Sequence, residues 1–116
     1  MTEDRLSDYL DHLLEALDLA TAYVDGMDRQ AFMADRRTQQ AVMLNIIILG
    51  EAAAKIVQSY PDFADAHPDI PWRQMRGMRN RVAHGYFDID LDIVWNTVQS
   101  AFPGLRAQVG AAKRNA

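Results

Sequence analysis

The sequence predicts an all-α fold, an up-down bundle of four to five helices. Ala, Leu, Arg, Gln and Met are frequent, whereas β-branched residues are scattered and do not alternate. Apolar residues recur at steps of three and four, the spacing that lays one stripe along a helix. The 116 residues are enough for one hydrophobic core but not for two. We therefore expect a single domain over residues 1–116.

The first half of the chain predicts two longer helices with a short one between them. The first should run from Thr2 or Glu3 to Val24 and end at Gly26, and a short helical turn should follow over residues 28–33. The next should run from Asp35, its N-cap, to Ser59. The apolar stripe of the first helix comprises Leu6, Leu10, Leu13, Leu17, Ala20 and Val24.

The middle of the long helix is apolar on almost every side. The residues concerned are Val42, Met43, Leu44, Ile46, Ile47, Ile48 and Leu49. A helix of this kind must be covered all round, which is difficult inside one small bundle. We therefore predict a homodimer with this helix near the interface. The alternative is a central helix wrapped by the other three.

The same run bears on the compartment of the protein. It extends from Ala41 to Leu49 with Asn45 inside it, whereas a membrane-spanning helix takes about 20 apolar residues. The N-terminus is acidic where a signal peptide would be basic. We expect a cytoplasmic protein with no membrane partner.

Proline and glycine divide the second half. Tyr60-Pro61 should end the long helix, and residues 67–69 should lie in a loop. The third helix is predicted from Trp72 to Ala83, with Gly85 as its C-terminal cap.

A fourth helix should complete the bundle. It should begin at Asp88 or Asp90, and Pro103-Gly104 should kink it or split it in two. The tail over residues 110–116 is expected to fray.

Charge is unevenly distributed in this acidic chain, whose net charge is −4. No acidic residue lies between Asp69 and Asp88, and this segment, the cationic strip, holds four arginines: Arg73, Arg76, Arg79 and Arg81. Such a strip predicts a local anion site, not a general nucleic-acid coat. A solvated helix face is the alternative. With no cysteines and three histidines far apart, no metal or other cofactor is predicted.

The stretch from Met75 to Tyr86 resembles the signature of the HEPN superfamily, an arginine followed after four to six residues by a histidine. The HepT-like branch has the form Arg-x4-His-x-Tyr, commonly with Asn after the Arg. Here Arg79, Asn80, His84 and Tyr86 occupy those places. The DRRTQ sequence at 35–39, the GEAA sequence at 50–53 and the PW pair at 71–72 also resemble the family, so the resemblance covers essentially the whole chain.

This resemblance implies a ribonuclease toxin of a toxin–antitoxin pair. Five residues of helix turn about 500°, which leaves Arg79 and His84 roughly 140° apart. We expect the helix to end at Gly85 and two copies to bring both pairs into one cleft. Arg79 would hold the scissile phosphate. His84 would act as general base on a 2′-OH or as general acid to the leaving oxygen, without metal, giving a 2′,3′-cyclic phosphate.

Other residues have weaker predicted roles. Asn80 could bind the phosphate or orient the imidazole. Glu51 could tether Arg79, although an i, i+4 salt bridge with Lys55 is the commoner arrangement. Arg73 and Arg76 are either auxiliary phosphate contacts or solvated surface. No functional role is predicted for four other residues. Trp72 and Trp95 are expected in the core, and His12 and His67 at the surface.

The resemblance also implies regulation at Tyr86, where a minimal nucleotidyltransferase antitoxin would attach adenylate and so block RNA. The alternative is a buried tyrosine that packs the cleft wall, with Phe87 packing beside it. Two other functions stay open at this point. One is a non-catalytic HEPN module that presents substrate to a nucleotidyltransferase subunit. The other is a helical dimerisation protein without a site.

Overall fold

The chain is helical throughout the part described by the computed structural model, residues 3–115, and this part contains no strand. The all-α prediction is confirmed. The elements are α1 (Glu3–Tyr23), α2 (Arg29–Met33), α3 (Arg36–Ser59), α4 (Pro61–Ala66), α5 (Trp72–His84), a 3₁₀ turn (Tyr86–Asp88), α6 (Leu91–Asn96), a π-helical turn (Thr97–Ala101) and α7 (Phe102–Arg114). Because α6, the π turn and α7 follow without a break, the bundle has four long helical segments, and α2 and α4 are short additions.

The helix boundaries in the first half lie close to those that the sequence predicts. The proposed start at Thr2 lies outside the described residues, and α1 ends just before Gly26, whose φ of +79° is the left-handed conformation that glycine adopts without strain. Asp28 caps α2, and Asp35 caps α3 by accepting the Thr38 N–H at 3.0 Å. The N–H and hydroxyl of Thr38 both donate to Asp35, and these bonds hold the pKa of that carboxyl below its ordinary value.

Helix α3 forms the centre of the core and packs between α1 and α5. Among the described helices, it alone is long and apolar enough to cross a membrane by length and composition, and half of its most apolar window is buried inside the fold. The other helices do not cover it completely, because Leu44 is 56% exposed and Ile48 is 39% exposed. These two residues, one turn apart, form an apolar strip on its outer face. The buried residues of α3 are Val42, Met43, Asn45, Ile46, Leu49, Gly50, Ala52, Ala53 and Ile56.

The segment between α3 and α5 differs from the prediction in two ways. The loop predicted over residues 67–69 is present, but the short helix α4, which was not predicted, precedes it, because proline at the first helical position has no N–H to lose and already has a helical φ. His67 is half-buried, not a surface residue: its Nδ1 lies 2.9 Å from the carbonyl oxygen of Phe63 and its ring packs on that phenyl ring. Trp72 and Trp95 pack against the core and His12 is exposed, as predicted.

The end of the chain is more ordered than its composition suggests. The prediction of a frayed tail from Gly110 is wrong, because α7 continues to Arg114, buries Val109 and Ala112, and is held to α1 by an ion pair between Lys113 and Asp11. Asp90 caps α6 through the Asp92 N–H. The interruption expected near Pro103 is present as the π-helical turn just before it.

Candidate active site

The site is built where α3 and α5 come closest, at Gly50. A Cβ added to Gly50 would lie 2.0 Å from Cβ of Arg79 and 3.0 Å from the carbonyl oxygen of Met75. No side chain larger than hydrogen fits there without moving α5 or its arginine. The glycine therefore lets the stem of Arg79 lie directly on the α3 backbone.

Two neighbours hold the guanidinium of Arg79. Nη2 donates to Oε2 of Glu51 at 2.6 Å, and Nη1 donates to Oδ1 of Asn80 at 2.8 Å. The side chain is 30% exposed, so the guanidinium is partly open to solvent where the two helices meet. We call this set of three residues the arginine clamp. It realises the predicted tether by Glu51, whose carboxylate is bonded to Arg79 and not to Lys55 in the described part of the chain.

The clamp leaves part of the guanidinium available. A guanidinium has five N–H donors in a planar fork, and the two bonds to Glu51 and Asn80 use one donor of each outer nitrogen. Each Nη therefore keeps one further N–H, which can point at an anion. The inner Nε is buried and has no hydrogen-bond partner among the described residues.

His84 lies apart from the clamp. It is the last residue of α5, its side chain is exposed, and no hydrogen bond or ion pair joins it to another described residue. Because α5 is unbroken from Arg79 to His84, the predicted angular separation of roughly 140° stands. Gly85 does cap the helix, with its N–H on the Arg81 carbonyl at 3.0 Å, but its φ of −118° is an ordinary one and not the left-handed one. In the described part of one chain, the arginine bonds Glu51 and Asn80, and no hydrogen bond joins it to the histidine.

Tyr86 and Phe87 follow in the 3₁₀ turn, and both are exposed. Tyr86 is 38% exposed, and the two rings meet edge to face with centroids 5.7 Å apart. The alternative of a buried, wall-packing Tyr86 does not hold, and Phe87 does not pack, because it is 97% exposed. The tyrosine at this turn is open to solvent two residues beyond the histidine.

The cationic strip contributes three further arginines around the clamp. Arg73, Arg76 and Arg81 are all exposed and make no ion pair with a carboxylate in the described range. The strip is thus a solvated face, as the alternative had it, and three of its four arginines have no carboxylate partner among the described residues. Both descriptions apply, and the face can still attract an anion.

Sequence reasoning missed two features of this region. It treated Gly50 only as part of a family pattern, although the contact with Arg79 requires a glycine there. It also missed a groove of about 330 Å³ between the first turns of α3 and the 3₁₀ turn. Helical periodicity gave no signal for the groove, because its walls are far apart in sequence. The groove is lined by Arg36, Gln39, Gln40, Met43, Tyr86, Phe87, Ile89 and Leu91.

Comparison with known proteins points in one direction. A family described as "Ribonuclease HepT-like" matches residues 13–112. A protein of Thermococcus cleftensis named "Probable ribonuclease HepT" is 37% identical over 101 residues, which are 87% of this chain and 89% of that protein. A protein of Caldanaerobacter subterraneus subsp. tengcongensis, provisionally named an RNase, is 30% identical over 87% of this chain and 88% of its own length. No solved structure matched.

Proposed function

Because the chain belongs to the HepT-like ribonuclease family, we propose that it is a metal-independent RNA endonuclease that works as a homodimer. The observation that carries the proposal is the arginine clamp. It fixes a guanidinium at the surface of an arginine-rich segment that has no acidic residue between Asp69 and Asp88, and it leaves one N–H donor free on each outer nitrogen. A scaffold needs no such arrangement, whereas a phosphodiester site does.

The chemistry assigns one task to each residue. His84 takes the proton of a ribose 2′-OH, the 2′ oxygen attacks phosphorus, and the bond from phosphorus to the 5′ oxygen breaks. A protonated imidazole returns a proton to that 5′ oxygen, so the products are a 2′,3′-cyclic phosphate and a 5′-OH. Arg79 binds the phosphate and stabilises the charge that develops on its oxygens. Asn80 and Glu51 hold the guanidinium, and Arg73 and Arg76 attract the flanking phosphates.

A second copy completes the site. Within one chain no hydrogen bond joins the imidazole to the arginine clamp among the described residues, and five residues of unbroken helix set the two positions roughly 140° apart. The apolar strip of Leu44 and Ile48 leads along the same helix face to Glu51, three residues further on. A partner that covers this strip lies next to the arginine clamp. We propose that dimerisation through it joins the arginine of each subunit to the histidine of the other in one cleft.

Cleavage of a labelled oligoribonucleotide tests the activity. We expect wild-type protein to cut RNA in the presence of EDTA and to leave the DNA of the same sequence intact. Arg79→Ala and His84→Ala should each lower the rate by about 100-fold or more. Arg114→Ala and His12→Ala, exposed residues far from the site in sequence, serve as matched controls and should cut at the wild-type rate. Wild-type protein that cuts no RNA would contradict the proposal and favour a substrate-presenting module.

Mixing the two inactive variants tests the composite cleft. A dimer of one Arg79→Ala chain and one His84→Ala chain retains one arginine and one histidine, on opposite subunits. If the cleft is shared, the mixture regains part of the activity after subunit exchange. If each chain cuts alone, every chain in the mixture lacks one group and the mixture stays inactive.

We further propose that the enzyme is a cytoplasmic toxin neutralised by a minimal nucleotidyltransferase antitoxin. Induction of the wild-type protein should stop growth, and induction of His84→Ala should not. Equal toxicity of the two proteins would separate any growth effect from RNA cleavage. Co-expression with the nucleotidyltransferase should restore growth.

The exposed Tyr86 is the proposed point of control. Its hydroxyl is accessible to a modifying enzyme, and an attached adenylate would place negative charge and bulk two residues from His84. Mass spectrometry of the Tyr86 peptide after co-expression should show added adenylate, and Tyr86→Phe should stay unmodified and toxic. An unchanged peptide mass with growth restored would mean that the antitoxin acts by binding alone.

A further inference from the structure

The groove beside Tyr86 combines an apolar floor with polar walls. Met43 is buried at its base, and Ile89 and Leu91 are half-buried beside it. Arg36 and Gln40, both exposed, line the α3 side. The Gln39 amide is fixed by donating to the carbonyl oxygens of Phe32 and Met33 at 2.9 and 3.1 Å, so its own oxygen is left as an acceptor.

The third wall consists of two aromatic rings. Phe87 is 97% exposed. Its ring meets the ring of Tyr86 edge to face, with the two ring centroids 5.7 Å apart. Phe87 therefore stands in solvent at the mouth of the groove. An exposed phenyl ring offers a flat apolar face to a ligand.

These walls match one class of ligand, a nucleobase. A base has two flat apolar faces and a polar edge, and proteins bind unpaired bases by stacking them on aromatic rings and pairing the edge with amides or arginines. The floor and Phe87 suit the faces, and Gln40 and the Gln39 oxygen suit the edge. Arg36, at the first turn of α3, has no carboxylate partner among the described residues and can meet the adjoining phosphate.

We propose that this groove binds a base of the RNA substrate next to the scissile phosphodiester, stacked on Phe87. The inference rests on the proposed ribonuclease function and adds a specificity site to it. Its position supports the assignment, because Tyr86 follows His84 by two residues and their Cα atoms are at most about 7 Å apart. A nucleotide in the groove is therefore a neighbour of the one at the imidazole.

Binding of RNA to the full chain carrying His84→Ala tests the proposal independently of cleavage. The dissociation constant for a short fluorescent oligoribonucleotide is measured by anisotropy. Stacking on an aromatic ring is lost when the ring is replaced by alanine, so adding Phe87→Ala should weaken binding about 5- to 150-fold. Phe87→Trp should bind within about threefold of the parent. The control Ile93→Ala, an exposed apolar residue outside the groove, should leave the constant unchanged.

Removal of the base from the RNA provides the matching change on the ligand. A series of oligoribonucleotides is made, each with a single abasic position. For one of them, binding to the protein with Phe87 intact should be as weak as binding of the intact RNA to Phe87→Ala. The two changes should not add, since either one removes the same stacking contact. Additive losses, or no loss with Phe87→Ala, would overturn the proposal.

Two further measurements separate the other occupants of the groove. If Phe87→Ala halves the molar mass in light scattering, the ring is an anchor between subunits and the proposal fails. If Phe87→Ala weakens binding of free AMP but not of RNA, the groove serves a mononucleotide and the proposal also fails. An RNA that binds with the expected losses but is never cut by wild-type protein would refute the ribonuclease and keep the base site.

Discussion

Alanine at Gly50 is the substitution that most directly tests how α3 and α5 position Arg79, the proposed phosphate-binding arginine. The added methyl carbon would lie 2.0 Å from Cβ and 2.7 Å from Cγ of Arg79, and 3.0 Å from a backbone oxygen of α5. None of these atoms is the free end of a flexible side chain. Either the two helices must separate or the arginine stem must leave its place. Gly77, in α5 itself, provides the matched control because a Cβ there meets nothing within 4 Å.

The two substitutions should have opposite effects on stability. Alanine replaces glycine inside a helix with a gain of about 0.5–1 kcal/mol, because the unfolded chain loses freedom. Gly77→Ala should therefore raise the free energy of unfolding by about that amount. At Gly50 the same gain is outweighed by overpacking, which costs about 1–3 kcal/mol. The net expectation is a loss of up to about 2.5 kcal/mol.

Urea unfolding followed by circular dichroism measures both effects at one fixed protein concentration. Equal slopes with a lower midpoint for Gly50→Ala and a higher midpoint for Gly77→Ala would agree with the argument. The RNA cleavage rate should fall with Gly50→Ala in folded protein and stay unchanged with Gly77→Ala. A Gly50→Ala protein as stable and as active as Gly77→Ala would refute the close approach on which the arginine clamp depends.

Three further predictions concern the clamp, the α3 cap and the apolar strip. Glu51→Gln should change the free energy of unfolding by less than about 1 kcal/mol, because the ion pair is partly solvated. It should lower the cleavage rate about tenfold, because Arg79 is then less firmly fixed. An unchanged rate would mean that Glu51 is not part of the site. The lowered pKa of Asp35 means that its charge stabilises the fold above the ordinary value of 3.8 and that this contribution is lost as pH falls below it. The stability advantage of wild type over Asp35→Asn should therefore shrink between pH 6 and pH 3, and a constant difference in urea titrations would argue against the cap. Leu44→Glu should halve the molar mass in light scattering whereas Leu19→Glu, exposed on α1, should not, and a dimeric Leu44→Glu protein would place the interface elsewhere.

Much of the fold follows from local rules, and the sequence predicts it for that reason. The caps at Asp35 and Asp90 each depend on a side chain that bonds an N–H two or three residues later. The apolar stripe of α1 faces the core because helical spacing alone sets which residues share a side. The turn at Gly26 needs only its own φ. None of these features requires knowledge of a distant partner.

The wrong predictions concern features that depend on contacts between residues far apart in sequence. The ordered end of α7 depends on the ion pair between Lys113 and Asp11, 102 residues apart in sequence, and on burial against α1. His67 is half-buried because it packs on Phe63 of the short α4, a helix that composition did not predict. The exposure of Phe87 could not be predicted for a similar reason, because its local sequence does not show whether a distant part of the chain covers it.

The site shows the same division between what is local and what is not. The motif gives the identities of Arg79, Asn80, His84 and Tyr86, and the neighbour contact from Arg79 to Asn80 follows from adjacency. The contact to Glu51, 28 residues away, exists only because Gly50 lets α5 settle on α3.

The same contacts explain why the two proposed catalytic groups differ in how firmly they are held. Arg79 is fixed by its own chain through two hydrogen bonds and the close approach of two helices, whereas His84 ends its helix without a described partner. A group that binds a phosphate benefits from being fixed in advance, because ordering it then costs nothing during the reaction. A group that moves protons between two oxygens needs a position relative to the substrate, which the shared cleft would supply. On this argument, loss of the dimer should reduce the function of His84 more than the binding of phosphate by Arg79. A monomeric Leu44→Glu protein should therefore lose nearly all cleavage while its affinity for RNA falls much less.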